Sequence, residues 1–122
     1  MKFGVIRQPT ANAARSPFRI VERISGHEVE WVNRFLDREC LRRVTNTTLY
    51  SYAYDLLHFI RWWESVHHTD AVSESALTES TLLDYVRFQS SQQPPFSGST
   101  INQRVAVPIA LYALCSPMLR IK

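Results

Sequence analysis

The sequence predicts an all-α protein, a compact bundle of four main helices with an extended N-terminal arm. Apolar residues recur at three- and four-residue intervals over long stretches, and hydroxyl-bearing residues stand where those stretches begin. One short alternation, Phe18 and Ile20, has no evident partner strand, so an extended segment lying against helices is expected there. Three glycines and six prolines in 122 residues argue against collagen-like or low-complexity material, while three tryptophans, five tyrosines and six phenylalanines supply bulk for one core.

Residues 1–24 form the expected arm, interrupted by Pro9, Pro17 and the small polar run Thr10 to Ala14. Ser25 and Glu28, three apart, have the spacing of a capping box and predict a first helix reaching Arg42. Its apolar stripe is Val29, Val32, Leu36 and Cys40, widened by Trp31, Phe35 and Leu41. Thr48 is the expected N-cap of a second helix ending near Val66, whose apolar face is Leu49, Tyr52, Leu56, Phe59, Ile60 and Trp63. Tyr50, Tyr54, Leu57 and Trp62 place further apolar area on its other sides, as expected of a central helix or one that offers a face to a partner.

Thr78 opens a short third helix with Leu82, Tyr85, Val86 and Phe88 inward. Pro94 and Pro95 separate it from a fourth, capped by Ser99 or Thr100, that carries Ile101, Val105, Ile109 and Tyr112. Pro108 predicts a kink or break, because its ring clashes with the Arg104 carbonyl and removes one hydrogen bond. The helical domain is thus expected over residues 25–116, and residues 117–122 as a tail or the start of a linker.

Two isolated cysteines, Cys40 and Cys115, argue against a zinc site or a disulfide scaffold. No run is long and apolar enough for a membrane span or an export signal, so a cytoplasmic protein without membrane partners is expected. The net charge of +3 is unevenly spread. Residues 1–43 carry nine basic and five acidic groups, residues 44–85 one and six, and residues 86–122 four and none. Arginine outnumbers lysine twelve to two, a bias that suits bidentate contacts to phosphate. No paired carboxylates, metal-ligand cluster or activated nucleophile stands out, so neither catalysis nor a cofactor is expected.

Thr48, Tyr52, Asp55-Leu56 and Phe59, followed by Trp62-Trp63, reproduce a spacing of threonine, tyrosine, aspartate-leucine and phenylalanine. Thr100-Ile101-Asn102-Gln103-Arg104 runs on to Leu111-Tyr112. Together these stretches resemble the N-terminal core-binding, SAM-like domain of the tyrosine recombinase or phage-integrase family, over about residues 24–115. Pro108 stands where that family usually has leucine, and Ile109 where it commonly has an arginine directed at DNA. The resemblance implies a clamp, in which this domain sits on one side of a recombination half-site and a separate catalytic domain on the other. It further implies double-stranded DNA and other recombinase protomers as partners. No room is expected here for the family's catalytic residues, and the HxxR spelling of His58 to Arg61 falls inside the core-binding pattern.

A binding role calls for phosphate and base contacts. Arg42, Arg43, Thr45, Asn46, Thr47 and Thr48 gather at the joint between the first two helices, where short hydroxyls and a helix N-terminus suit phosphate. Ser99, Thr100, Asn102, Gln103 and Arg104 form a second cluster, with amide forks for adenine and a guanidinium for guanine or phosphate. Arg87 is a supporting candidate, and Lys2, Arg7, Arg15 and Arg19 are candidates for an arm across the backbone. The expected function is sequence-specific duplex DNA binding in recombination or integration. The alternative is a helical protein-interaction module using Tyr50, Tyr54 and Leu57.

Overall fold

The computed structural model describes residues 2–67, 72–92 and 97–115. The expected tail at residues 117–122 and the Pro94-Pro95 turn lie outside them. The order is β1 (Phe3–Arg7), β2 (Phe18–Glu22), α1 (Glu30–Leu41), α2 (Asn46–His67), a 3-10 turn (Glu74–Ala76), α3 (Glu79–Ser90) and α4 (Gly98–Cys115). The protein is therefore mostly helical with a small antiparallel hairpin, and the all-α expectation is corrected. Two compact units divide it, Met1–Leu57 and His58–Lys122.

In the first unit, the segment expected as an unpaired arm folds on itself. β1 and β2 pair antiparallel in the register Phe3↔Glu22, Gly4↔Val21, Val5↔Ile20, Ile6↔Arg19 and Arg7↔Phe18. The β-branched residues Val5, Ile6, Ile20 and Val21 favour this pleated backbone. The connection through Pro9 and Pro17 is long, so it carries no short-turn signature. Asn12 and Thr10 organise it locally, the Ala14 amide donating to Asn12 Oδ1 at 2.9 Å and the Asn12 amide to Thr10 Oγ1 at 3.1 Å.

The capping box is also corrected. Ser25 sits in a turn after β2, closed by the Gly26 amide donating to the Glu22 carbonyl at 2.8 Å, with Gly26 at φ 76°. Glu28 is drawn to arginines instead. Arg19, the second residue of β2, is buried, and its Nε and Nη2 donate to Glu28 Oε1 at 3.0 and 2.7 Å. Its Nη1 donates to Asp37 of α1, while Arg15 donates to Glu28 Oε2 at 2.7 Å. A buried guanidinium must be paired to be tolerated, and here two carboxylates do so. Arg19 thus ties β2 to α1 through Asp37, Arg15 joins it at Glu28, and neither extends as an arm.

α1 adds a second tie. Asn33 accepts from the Ile20 amide at 2.8 Å and donates to the Ile20 carbonyl at 3.0 Å, acting as a short substitute strand beside β2. Val32, Phe35 and Leu36 are buried, whereas Leu41, expected on the same stripe, is 64% exposed. Leu49, Ala53, Leu56 and Leu57 complete this unit's buried face on α2. Leu57 is therefore not available to the three-residue interaction face considered above.

The second unit centres on aromatic rings. Phe59 lies 4.9 Å from Tyr85, 5.7 Å from Trp63 and 6.0 Å from Trp62, centroid to centroid. Trp62 also meets Phe88 at 6.1 Å. α3 packs on α4, which contributes Val105, Val107, Pro108 and Leu111 to the buried side. α4 runs through the buried Pro108, so the expected break is absent, although the ring still removes one backbone donor. Ile109, expected on the apolar face, is half exposed instead.

Candidate nucleic-acid interface

α1 ends in a complete Schellman motif. The Arg43 amide donates to the Cys40 carbonyl at 3.0 Å and the Val44 amide to the Glu39 carbonyl at 3.2 Å, which requires Arg43 to be left-handed, at φ 65°. Glycine is the residue that normally fills this position, because a Cβ is strained there. Among the described residues Arg43 is the one non-glycine with positive φ. Its side chain is exposed and has no ion pair among the described residues. Arg42 is exposed too, and reaches Glu39 at 3.3 Å.

α2 then begins at Asn46, so its cap stands three residues earlier than the expected Thr48. The cap is Thr45, whose Oγ1 accepts from the Thr48 amide at 3.3 Å and whose hydroxyl donates to Thr48 Oγ1 at 3.0 Å. Thr48, predicted as the cap, is instead the half-buried third residue of the first turn. Asn46 and Thr47 are exposed. No acidic residue stands in the first turn, so the positive end of the helix dipole is uncompensated.

α4 repeats this arrangement. Ser97 caps it, accepting from the Thr100 amide at 3.1 Å and donating to Thr100 Oγ1 at 3.0 Å. This corrects the Ser99 or Thr100 cap. α3 is built alike, with Thr78 accepting from the Thr81 amide at 3.3 Å. All three starts share one feature, a capping serine or threonine followed three residues later by threonine.

Ser99, Asn102 and Gln103 are exposed around the start of α4, again with no acid in the first turn. Arg104 is half-buried, with Nη1 out of contact with water. His58 is half-buried as well, with Nδ1 2.5 Å from the Tyr85 hydroxyl. Burial, followed by the charges of Arg104 and Arg61, holds the His58 proton affinity below its ordinary value. Arg104 thus differs from its neighbours Asn102 and Gln103 in being tucked against the unit's own side chains. Arg87 belongs to neither helix start; it lies in the last turn of α3 and reaches Asp84 at 3.6 Å.

The structure therefore brings Arg42, Arg43, Thr45, Asn46, Thr47 and Thr48 together in one joint of the first unit, and Ser99, Thr100, Asn102, Gln103 and Arg104 at one helix start of the second. The described residues contain no group of three His, Cys, Asp or Glu side chains able to hold a metal ion, and no helix long and apolar enough to cross a membrane. No family model, curated protein or solved structure matches this chain.

Proposed function

We propose that this chain is the core-binding domain of a tyrosine recombinase or integrase, its helical part a SAM-like bundle that grips one side of duplex DNA. The order of Thr48, Tyr52, Asp55, Leu56 and Phe59, continued by the Thr100 to Tyr112 stretch, supports the family. One observation carries the binding role: an exposed arginine, Arg43, is kept in a left-handed turn where glycine would relieve strain, directly before an uncompensated helix N-terminus. Arg42 and Arg43 supply charge to phosphates, and the Asn46 and Thr47 side chains add neutral contacts. Asn102 and Gln103, exposed in the first turns of α4, read base edges. In this reading a separate catalytic domain performs strand exchange, other recombinase protomers assemble on the paired sites, and the protein works in the cytoplasm.

The experiment is equilibrium binding to a mixed-sequence duplex over a series of salt concentrations. Binding that weakens linearly in log-log form is expected, with Arg43→Ala lowering the slope by about 0.9, one released counterion. Binding that ignores salt, or a slope unchanged in Arg43→Ala, refutes the proposal.

A further inference from the structure

Four residues on α2 within the first unit share a face by their spacing: Thr47, Tyr50, Ser51 and Tyr54 stand at i, i+3, i+4 and i+7. All four are exposed, and each carries a hydroxyl with no hydrogen-bond partner among the described residues. The buried residues Leu49, Ala53 and Leu56 occupy the opposite side, and Leu57, seven residues after Tyr50, is buried at the border of the strip. A face meant only for water has no need of two large rings, and one meant for an apolar partner is poorly served by four hydroxyls.

The rings are held in place. Tyr50 and Tyr54 lie 4.7 Å apart between centroids, and Phe18 meets Tyr50 edge-on at 5.6 Å. The exposed Arg7 guanidinium stands 6.0 Å from the Phe18 ring centre and has no ion pair among the described residues. Packed rings lose little further freedom when their hydroxyls engage a ligand. The strip begins at Thr47, inside the Arg43 to Thr48 joint. From Thr47 to Tyr54 the helix advances about 10 Å, comparable with about three axial steps of one DNA strand at 3.4 Å each.

We infer that Thr47, Tyr50, Ser51 and Tyr54, with Arg7 over the Phe18 ring that Tyr50 meets, form a hydroxyl track that carries the sugar-phosphate backbone of duplex DNA away from the joint along α2. This rests on the function proposed above and assigns to DNA the aromatic face otherwise suited to a protein partner. The occupant follows from continuity with the joint, from the Arg7 cation on the Phe18 ring that Tyr50 meets, and from donors that match phosphate oxygens.

The test replaces Tyr50 and Tyr54 together by phenylalanine, which keeps the rings and their packing and removes only the two donors. Binding to the mixed-sequence duplex should weaken about tenfold, equivalent to about 1.4 kcal/mol, with the salt slope unchanged because neutral donors release no counterions. Affinity equal to that of the wild type overturns the track. So does wild-type self-association in sedimentation velocity that Tyr50→Ala with Tyr54→Ala abolishes, since the strip then belongs to a second copy. If the wild type binds no duplex at any salt, the proposed function falls and the track with it; if the wild type binds and the Phe variant binds equally, only the track falls.

Discussion

Replacing Arg43 by glycine should make the protein more stable and a poorer DNA binder at once. The left-handed conformation costs an L-residue roughly 1–2 kcal/mol, and Arg43 bears that cost at φ 65°. Glycine removes it but loses more backbone entropy on folding, roughly 0.5–1 kcal/mol, so the net gain is about 0.5–1 kcal/mol. Both Schellman hydrogen bonds use backbone groups only and survive the change. Urea unfolding followed by tryptophan fluorescence reads this as a higher midpoint at constant m. The same variant should lose one phosphate contact and flatten the salt dependence of duplex binding by about 0.9 in slope. Arg43→Ala separates the two effects: it keeps the strain and loses the charge, so it should bind as poorly as the glycine variant without its stability. A glycine variant no more stable than wild type refutes the backbone argument. A more stable variant with undiminished binding refutes the claim that the strain is retained for DNA.

Three further outcomes follow from the two units. Phe59→Ala, removing a fully buried ring that touches Trp62, Trp63 and Tyr85, should cost about 3–5 kcal/mol in chemical unfolding, and a cost under about 1 kcal/mol would place the ring outside the core. Gln89 is fully buried in α3 with neither amide atom hydrogen-bonded, so Gln89→Met should stabilise by about 1–3 kcal/mol; a loss would show that the amide has a partner in solution. Burial disfavours the Glu28 carboxylate, but hydrogen bonds from Arg15 and Arg19 and their charges outweigh it and hold the group below its ordinary 4.5. The unfolded chain therefore takes up that proton first. The stabilisation is complete above about pH 4.5 and is lost as pH falls through the lower folded value, so Glu28→Gln should unfold with a shallower acid dependence, and an unaltered profile would refute the network's role.

The parts legible in the sequence are those governed by local rules. α2 and α3 announce themselves because their apolar residues keep the helical period and a hydroxyl stands at each start. The hairpin does not, because its pairing is fixed at long range. β2 carries the buried Arg19 as its second residue, and Glu28 and Asp37, nine and eighteen residues on, make that burial tolerable. The same contacts explain why Ser25 and Glu28 fail as a cap: an acid that can satisfy two arginines gains more there than at an orphan amide. The candidate interface divides along the same line. Its arginines, threonines and amides are visible as a cluster at the α1–α2 joint, but the left-handed state of Arg43 follows from how α1 terminates and has no signature in an arginine.

Tyr50 and Tyr54 show the opposite failure, since their chemistry was visible and their placement was not. Counted by hydropathy they widen an apolar helix and suggest a protein partner. Their spacing from Thr47 and Ser51 instead puts them in a row of hydroxyls, and with Leu57 buried the apolar face loses its third member. Two neutral donors that alter affinity but not salt slope, beside a cation that alters both, would be a thermodynamic pattern specific to a phosphate track, which neither core packing nor an apolar interface reproduces.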